Sequence, residues 1–234
     1  MINEAEKERM RKLRKTFDML RRLEKVIFRP FFPYRRHGNL TRHNEGPLII
    51  IGNHYSIWDV IPAAMATDRA VHFMAKNELA KIKFGRWNVG EQALDWLQCI
   101  PVKRDGSDVQ AVKTCLKYLK NGEVINIFPE GTRNHSYEQF LPFKGGAAAL
   151  AIKTKAPIVP VIQIERMRVF HRVDVVYGDP IYLTQFYGKR LTADEIEKID
   201  EWLRAVMMNM RQAYIDRHHP KLKPLKPKKE KNRK

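Results

Sequence analysis

Four consecutive apolar residues, Leu48-Ile49-Ile50-Ile51, stand between Pro47 and Gly52 with no polar residue among them to face water. A strand of this kind is buried on both faces, so the sheet that holds it needs helices above and below. The remaining chain supplies them in alternation. Helical patterns cover residues 59–66, 91–97, 107–120, 145–153 and 192–215, and strand-like runs cover 71–75, 99–102, 123–128, 158–164 and 173–177. Residues 76–89 are mixed. Ser107 or Asp108 is placed to cap the helix that ends at Asn121-Gly122, and Thr192 with Glu195 forms a capping box. The order predicts an α/β fold with a mainly parallel sheet flanked by helices.

The two ends differ from this middle. Residues 4–27 read as an amphipathic helix, with Met10, Leu13, Phe17, Leu20 and then Leu23 or Val26 and Ile27 on one stripe and many Arg and Lys elsewhere. An aromatic cluster broken by Pro30 and Pro33 follows. The net charge is +18, of which +7 lies in residues 1–36 and +8 in 217–234, leaving +3 for 37–216. Three parts are therefore expected: a basic amphipathic segment (1–36), a near-neutral catalytic domain (37–216) and a basic mobile tail (217–234). Basic ends attract an anionic membrane surface, an acidic protein or nucleic acid, but a near-neutral middle argues against a nucleic-acid-binding domain. The first helix either packs on the domain, or anchors at the bilayer with cations at the headgroups, or does both. No run reaches the length of a spanning helix, so the expected location is peripheral, at the cytoplasmic face of the cell membrane. Cys99 and Cys115 are too few for a disulfide framework and are expected in the core.

Chemistry concentrates after two strands. Asn53-His54-Tyr55-Ser56-Ile57-Trp58-Asp59 follows the Leu48–Ile51 run. On a regular helix, residues five apart lie about 140° apart, so His54 and Asp59 meet only if the segment is a turn into a helix start. There a neutral His can take a hydroxyl proton while the carboxylate fixes its tautomer. Phe128-Pro129-Glu130-Gly131-Thr132-Arg133 follows a second strand. Gly131 permits a tight turn, Arg133 offers a fork for phosphate, and Glu130 is suited to bond substrate hydroxyls or to hold the Arg. The other histidines, His37, His43, His72, His135, His171, His218 and His219, show no metal-ligand spacing and are expected on the surface or in loops.

The two motifs together resemble the glycerophosphate acyltransferase family, in particular its bacterial 1-acyl-glycerol-3-phosphate acyltransferases. Lys76-Asn77-Glu78-Leu79, Phe84-Gly85 and Ile100-Pro101-Val102-Lys103-Arg104 look like an intervening block, and Ala156-Pro157-Ile158-Val159-Pro160-Val161 like a fourth. The resemblance covers about residues 45–165. Ile82-Lys83 stand where the family usually has a Pro before Phe-Gly, and Lys103 stands at a position often acidic.

The resemblance implies roles. His54 is the general base and Asp59 its orienter. Lys76, Arg104 and Arg133 hold a substrate phosphate. Glu130, Gly131 and Thr132 shape the acceptor site, and Val159-Pro160 line a channel for the acyl chain or the acceptor. The implied reaction moves a fatty acyl group from acyl-CoA or acyl carrier protein to lysophosphatidic acid, with glycerol 3-phosphate or another lysolipid as the competing acceptors. No metal or other cofactor is implied. Backbone N–H groups at the helix start are expected to hold the thioester oxyanion.

Overall fold

The computed structural model describes residues 4–38, 45–83, 86, 88–102, 108–136, 139–144 and 146–218. Seven strands form one sheet in the order β1-β7-β6-β2-β5-β3-β4. They are β1 (Tyr34–His37), β2 (Leu48–Gly52), β3 (Val71–Lys76), β4 (Ile100–Val102), β5 (Val124–Ile127), β6 (Ile158–Gln163) and β7 (Val173–Tyr177). Among the described strands, only the β6–β7 pairing is antiparallel. The helices are α1 (Glu4–Leu23), α2 (Arg29–Phe31), α3 (Val60–Ala64), α4 (Val89–Trp96), α5 (Val109–Lys120), α6 (Ala147–Thr154) and α7 (Ala193–His218), with short 3-10 turns between some of them. A π turn, Glu24–Phe28, joins α1 to α2.

The two faces of the sheet carry separate cores, and successive residues of one strand divide between them. Ile49 and Ile51 of β2 join Ile125 and Ile127 of β5 against α5, α6 and α7, through Cys115, Leu119, Ala148, Ala151, Leu203 and Met207. Leu48 and Ile50 point the other way, with Val71, Val124, Val159 and Val175, and meet Leu13 and Phe17 of α1 and Ala63 of α3. β2 is buried at every position because both faces are covered. Asp108 is the cap of α5, accepting the N–H of Ala111 at 3.0 Å. Thr192 and Glu195 form their reciprocal bonds before α7.

α1 packs on the domain. Leu13 and Phe17 are 1% exposed, and burying each contributes about 1.5–3 kcal/mol. The stripe leaves the surface toward its C-terminal end: Leu23, Val26 and Ile27 are exposed. β1, which the Pro-broken aromatic cluster hid from sequence reading, straddles the expected boundary at residue 36 and pairs with β7.

Some expectations need correction. His72 lies in neither a surface nor a loop. It is fully buried in β3, with Nδ1 3.0 Å from the Gln98 carbonyl and Nε2 2.6 Å from Glu123. Arg9 of α1 reaches the same Glu123 at 2.5 Å and Gln98 at 2.6 Å, so this group ties α1 to the sheet. His37 is in β1, 2.8 Å from Asp174. Cys115 is buried, whereas Cys99 is only partly so. His43 and residues 219–234 lie outside the described residues. Among those described, no helix is long and apolar enough to cross a membrane.

Candidate active site

β2, β5, β3 and β6 run parallel, so their C-terminal ends share one edge of the sheet, the edge where side chains and helix starts converge in such folds. At this edge the chain leaves Gly52 through a tight turn. Asn53 is buried and clamps the turn to β6: its Nδ2 donates to the Gln163 carbonyl and its Oδ1 accepts the Gln163 N–H, each at 2.9 Å. Ser56 then starts the 3-10 turn Ile57–Asp59, in which Ser56 and Asp59 make a capping box.

This turn is what brings His54 to Asp59. His54 Nδ1 donates to Asp59 Oδ2 at 3.1 Å. The same oxygen accepts the N–H groups of Tyr55 and Ser56, and Asp59 Oδ1 accepts Ser56 Oγ at 2.8 Å. A carboxylate can only accept, so Nδ1 carries the proton and Nε2 is left as the base. Asp59 is 1% exposed, while the His54 side chain keeps 19%. The imidazole therefore opens outward from a buried, fully bonded support. Phe128 stacks on it, with centroids 4.3 Å apart and planes 14° from parallel. Gly52 leaves room for that ring: a Cβ there would lie 3.3 Å from it.

The second motif splits in two. Glu130 is 1% exposed. Its Oε1 accepts the backbone N–H of His54 at 3.1 Å, and its Oε2 accepts Asn134 Nδ2 at 2.8 Å and the Leu141 N–H at 2.9 Å. It faces the protein backbone rather than Arg133 or open solvent. Burial raises its pKa, and the N–H groups of Leu141 and His54 and the Asn134 amide offset only part of that rise. Gly131, Thr132 and Arg133, by contrast, are exposed at the rim. Gly131 has φ +65°, and the stem of Lys144 lies across it, 3.0 Å from where a Cβ would sit.

Of the other predicted residues, Lys76 is exposed at the end of β3, and Arg104 lies outside the described residues. Val159 is buried in the sheet, while Pro160 lines a cleft of about 440 Å³ with Tyr177, Ile181, Val206 and Met210. Of the expected oxyanion donors at the helix start, the N–H groups of His54, Tyr55, Ser56, Trp58 and Asp59 are engaged within the turn or by Glu130, which leaves that of Ile57. Sequence reasoning also missed Phe128, Asn134 and Lys144. Asn134 grips the site twice, its N–H donating to the His54 carbonyl at 2.6 Å while its side chain holds Glu130. Only Phe128 carried a signal, by opening the motif. Lys144 is 13 residues beyond Gly131 in sequence and meets it only in the fold.

A family model described as Acyltransferase matches residues 34–163, more than half of the chain. The chain belongs to the acyltransferase family. The matched span runs from β1 through β6 and holds the whole His54–Asp59–Glu130 arrangement. This acyltransferase chain is similar to the 1-acyl-sn-glycerol-3-phosphate acyltransferase of Helicobacter pylori, 32% identical over 129 residues, covering 55% of this chain and 53% of that protein. It is 39% identical over 90 residues to the protein of the same name from Bacillus subtilis, covering 38% and 41%. A putative 1-acyl-sn-glycerol-3-phosphate acyltransferase of Caenorhabditis elegans is 28% identical over 170 residues, covering 70% and 59%. The chain thus spans about half the length of the curated relatives it matches. The crystal structure of the 1-acyl-sn-glycerophosphate acyltransferase of Thermotoga maritima shares the fold, with a TM-score of 0.63 at 22% identity over 92% of this chain and 84% of that one.

Proposed function

We propose that the protein transfers a fatty acyl group from an acyl thioester, acyl-CoA or acyl carrier protein, to the free sn-2 hydroxyl of 1-acyl-glycerol-3-phosphate, giving phosphatidic acid. The observation that carries this reading is the outward-facing His54 ring, held through Nδ1 by buried Asp59, in a chain of the acyltransferase family. Support for the acceptor comes from the names of its bacterial relatives.

In this mechanism His54 Nε2 removes the acceptor hydroxyl proton as the oxygen attacks the thioester carbonyl, and Asp59 stabilises the imidazolium. The tetrahedral intermediate collapses, the C–S bond breaks, and the His54 proton passes to the leaving thiolate. Arg133 and Lys144, cations at the rim, bind the acceptor phosphate. Glu130 acts through His54 rather than on substrate. Exposed Leu23, at the end of α1, and exposed Val26 and Ile27, in the π turn after it, support a peripheral position at a membrane surface.

The test is acyl transfer from a labelled thioester to lysophosphatidic acid, comparing wild type with His54→Ala and adding glycerol 3-phosphate and other lysolipids as competitors. Phosphatidic acid formation by wild type, lost about 10³-fold or more in the folded variant, is the expected result. Undiminished transfer by the variant removes His54 as the base. Preference for a competitor moves the acceptor.

A further inference from the structure

β6 and β7 form the sheet's antiparallel pair, and the connection between them, residues 164–172, has an unusual tip. Met167 is buried in the core beneath it. Beyond Met167 the chain turns back on itself, the His171 N–H donating to the Arg168 carbonyl at 3.1 Å. At the tip Val169 is 54% and Phe170 74% exposed. Phe170 also has φ +57°, a backbone state that bulky residues avoid. A large apolar side chain thus stands in water on an unfavourable backbone.

The turn is firmly held in this state. The Phe170 N–H donates to the Phe31 carbonyl at 2.6 Å, and the rings of these two residues lie 5.6 Å apart. His171 is 3.0 Å from Glu165. Phe31 is itself half exposed and leads into Phe28 and Phe32, which lean on Trp58 at 5.5 and 4.8 Å. Trp58 and its exposed neighbour Ile57 belong to the turn that carries His54 and Asp59. Val26 and Ile27, exposed in the π turn after the first helix, lead directly into Phe28. Three distant chain segments therefore build one apolar rim beside the site. Exposed Arg166, Arg168 and Arg172 flank the tip, while its one acid, Glu165, is engaged by His171. Aromatic and aliphatic side chains ringed by arginines suit the boundary between acyl chains and anionic headgroups.

We propose that the Val169–Phe170 turn inserts into an anionic lipid bilayer and, with exposed Val26 and Ile27 after the first helix, docks the protein by two points. A single apolar segment gives weak, reversible attachment, and a second makes it stable and fixes the orientation of the domain. That the bilayer also delivers the acceptor rests on the function proposed above; the docking does not.

The experiment measures binding of the full chain to vesicles of phosphatidylcholine with phosphatidylglycerol, for wild type, Phe170→Gly and Val169→Ser/Phe170→Gly. Glycine suits the positive φ, so these variants should fold at least as well as wild type. Expected is a drop in vesicle affinity of about ten-fold or more, with transfer to a water-soluble short-chain acceptor within two-fold of wild type. A fluorophore on Phe170→Cys should be quenched by lipids labelled in the acyl chain. Vesicle affinity unchanged in the double variant, a probe that stays in water, or a patch that drives self-association in place of vesicle binding would each overturn the proposal. Vesicle binding that depends on Phe170 in a protein without acyl transfer would overturn the proposed function and leave the docking in place.

Discussion

The Glu130 carboxylate accepts the backbone N–H of His54 at 3.1 Å, across 76 residues of chain. The turn that carries His54 and the turn that carries Gly131, Thr132 and Arg133 are thereby one unit, and Asn134 closes it from the other side. Glu130→Gln places an NH₂ where the carboxylate now accepts from His54 on one oxygen and from Asn134 and Leu141 on the other. An N–H then faces an N–H whichever way the amide turns. The variant should lose about 10²-fold in kcat with little change in KM for the acceptor, because the defect is a displaced base. A rise in KM alone would instead make Glu130 a substrate contact.

Asp59→Asn tests the tautomer. Its amide can keep one acceptor oxygen but cannot accept from His54, Tyr55 and Ser56 with the full set of carboxylate lone pairs. The His54 proton then favours Nε2, the wrong nitrogen for a base. Transfer should fall by about 10³–10⁴-fold in a variant whose fold persists by circular dichroism. A loss below ten-fold would show that the pair does not act through the tautomer.

Lys144→Ala tests the rim. The side chain lies over Gly131 in a glycine turn next to exposed Thr132 and Arg133. If this cation binds the acceptor phosphate, the variant should raise KM for lysophosphatidic acid about ten-fold, leave KM for the thioester unchanged and weaken the salt dependence of acceptor binding. An effect on the thioester alone would assign Lys144 to the donor.

The tie between the first helix and the sheet should be acid-labile. Burial by itself would raise the Glu123 carboxyl, but hydrogen bonds from His72 and Arg9 outweigh it and hold the group below its ordinary value. A depressed carboxyl contributes stability above its unfolded pKa of about 4.3, and loses it as pH falls toward the folded value. Amide protection of residues 4–23 should therefore decline below about pH 4 in wild type. Glu123→Gln leaves Arg9 and His72 without their anion, at a cost of about 3–5 kcal/mol, and should show low protection at neutral pH as well. Equal protection in both at neutral pH would mean that Leu13 and Phe17 alone hold the helix.

Much of this fold was readable because local pattern and tertiary demand agree. The unbroken Leu48–Ile51 run required cover on both faces and has it, and the His54–Asp59 spacing required a turn and is one. β1 was not readable, since Tyr34-Arg35-Arg36-His37 has no strand-like apolar pattern and owes its form to the β7 edge beside it. The burial of His72 depends on Glu123 and Gln98, which are distant in sequence. Glu130 read as a group to bond substrate hydroxyls or to hold Arg133, three residues on, whereas its partners in the fold are a backbone amide at residue 54 and two groups at 134 and 141. The exposed Val169–Phe170 tip had no period to announce it.

Asp200 supplies a stability test away from the site. It lies 1% exposed on α7, and no well-aligned hydrogen bond reaches either carboxyl oxygen, the Ala148 N–H approaching only loosely. Burial pushes its pKa up to about 6, helped by neighbouring Glu201 and opposed by the Ala148 amide at the start of α6. Between about pH 4, the unfolded value, and pH 6 the folded state holds a proton that the unfolded state has released. Folding stability therefore falls as pH rises through that window, and the charged group stays a burden above it. A shift of about two units corresponds to about 3 kcal/mol. Asp200→Asn removes the titration, so it should raise Tm by several degrees at pH 8 and by almost nothing at pH 4. A gain of the same size at both pH values would trace the effect to packing, and a loss at pH 8 would show that the carboxylate, as an anion, supports the start of α6.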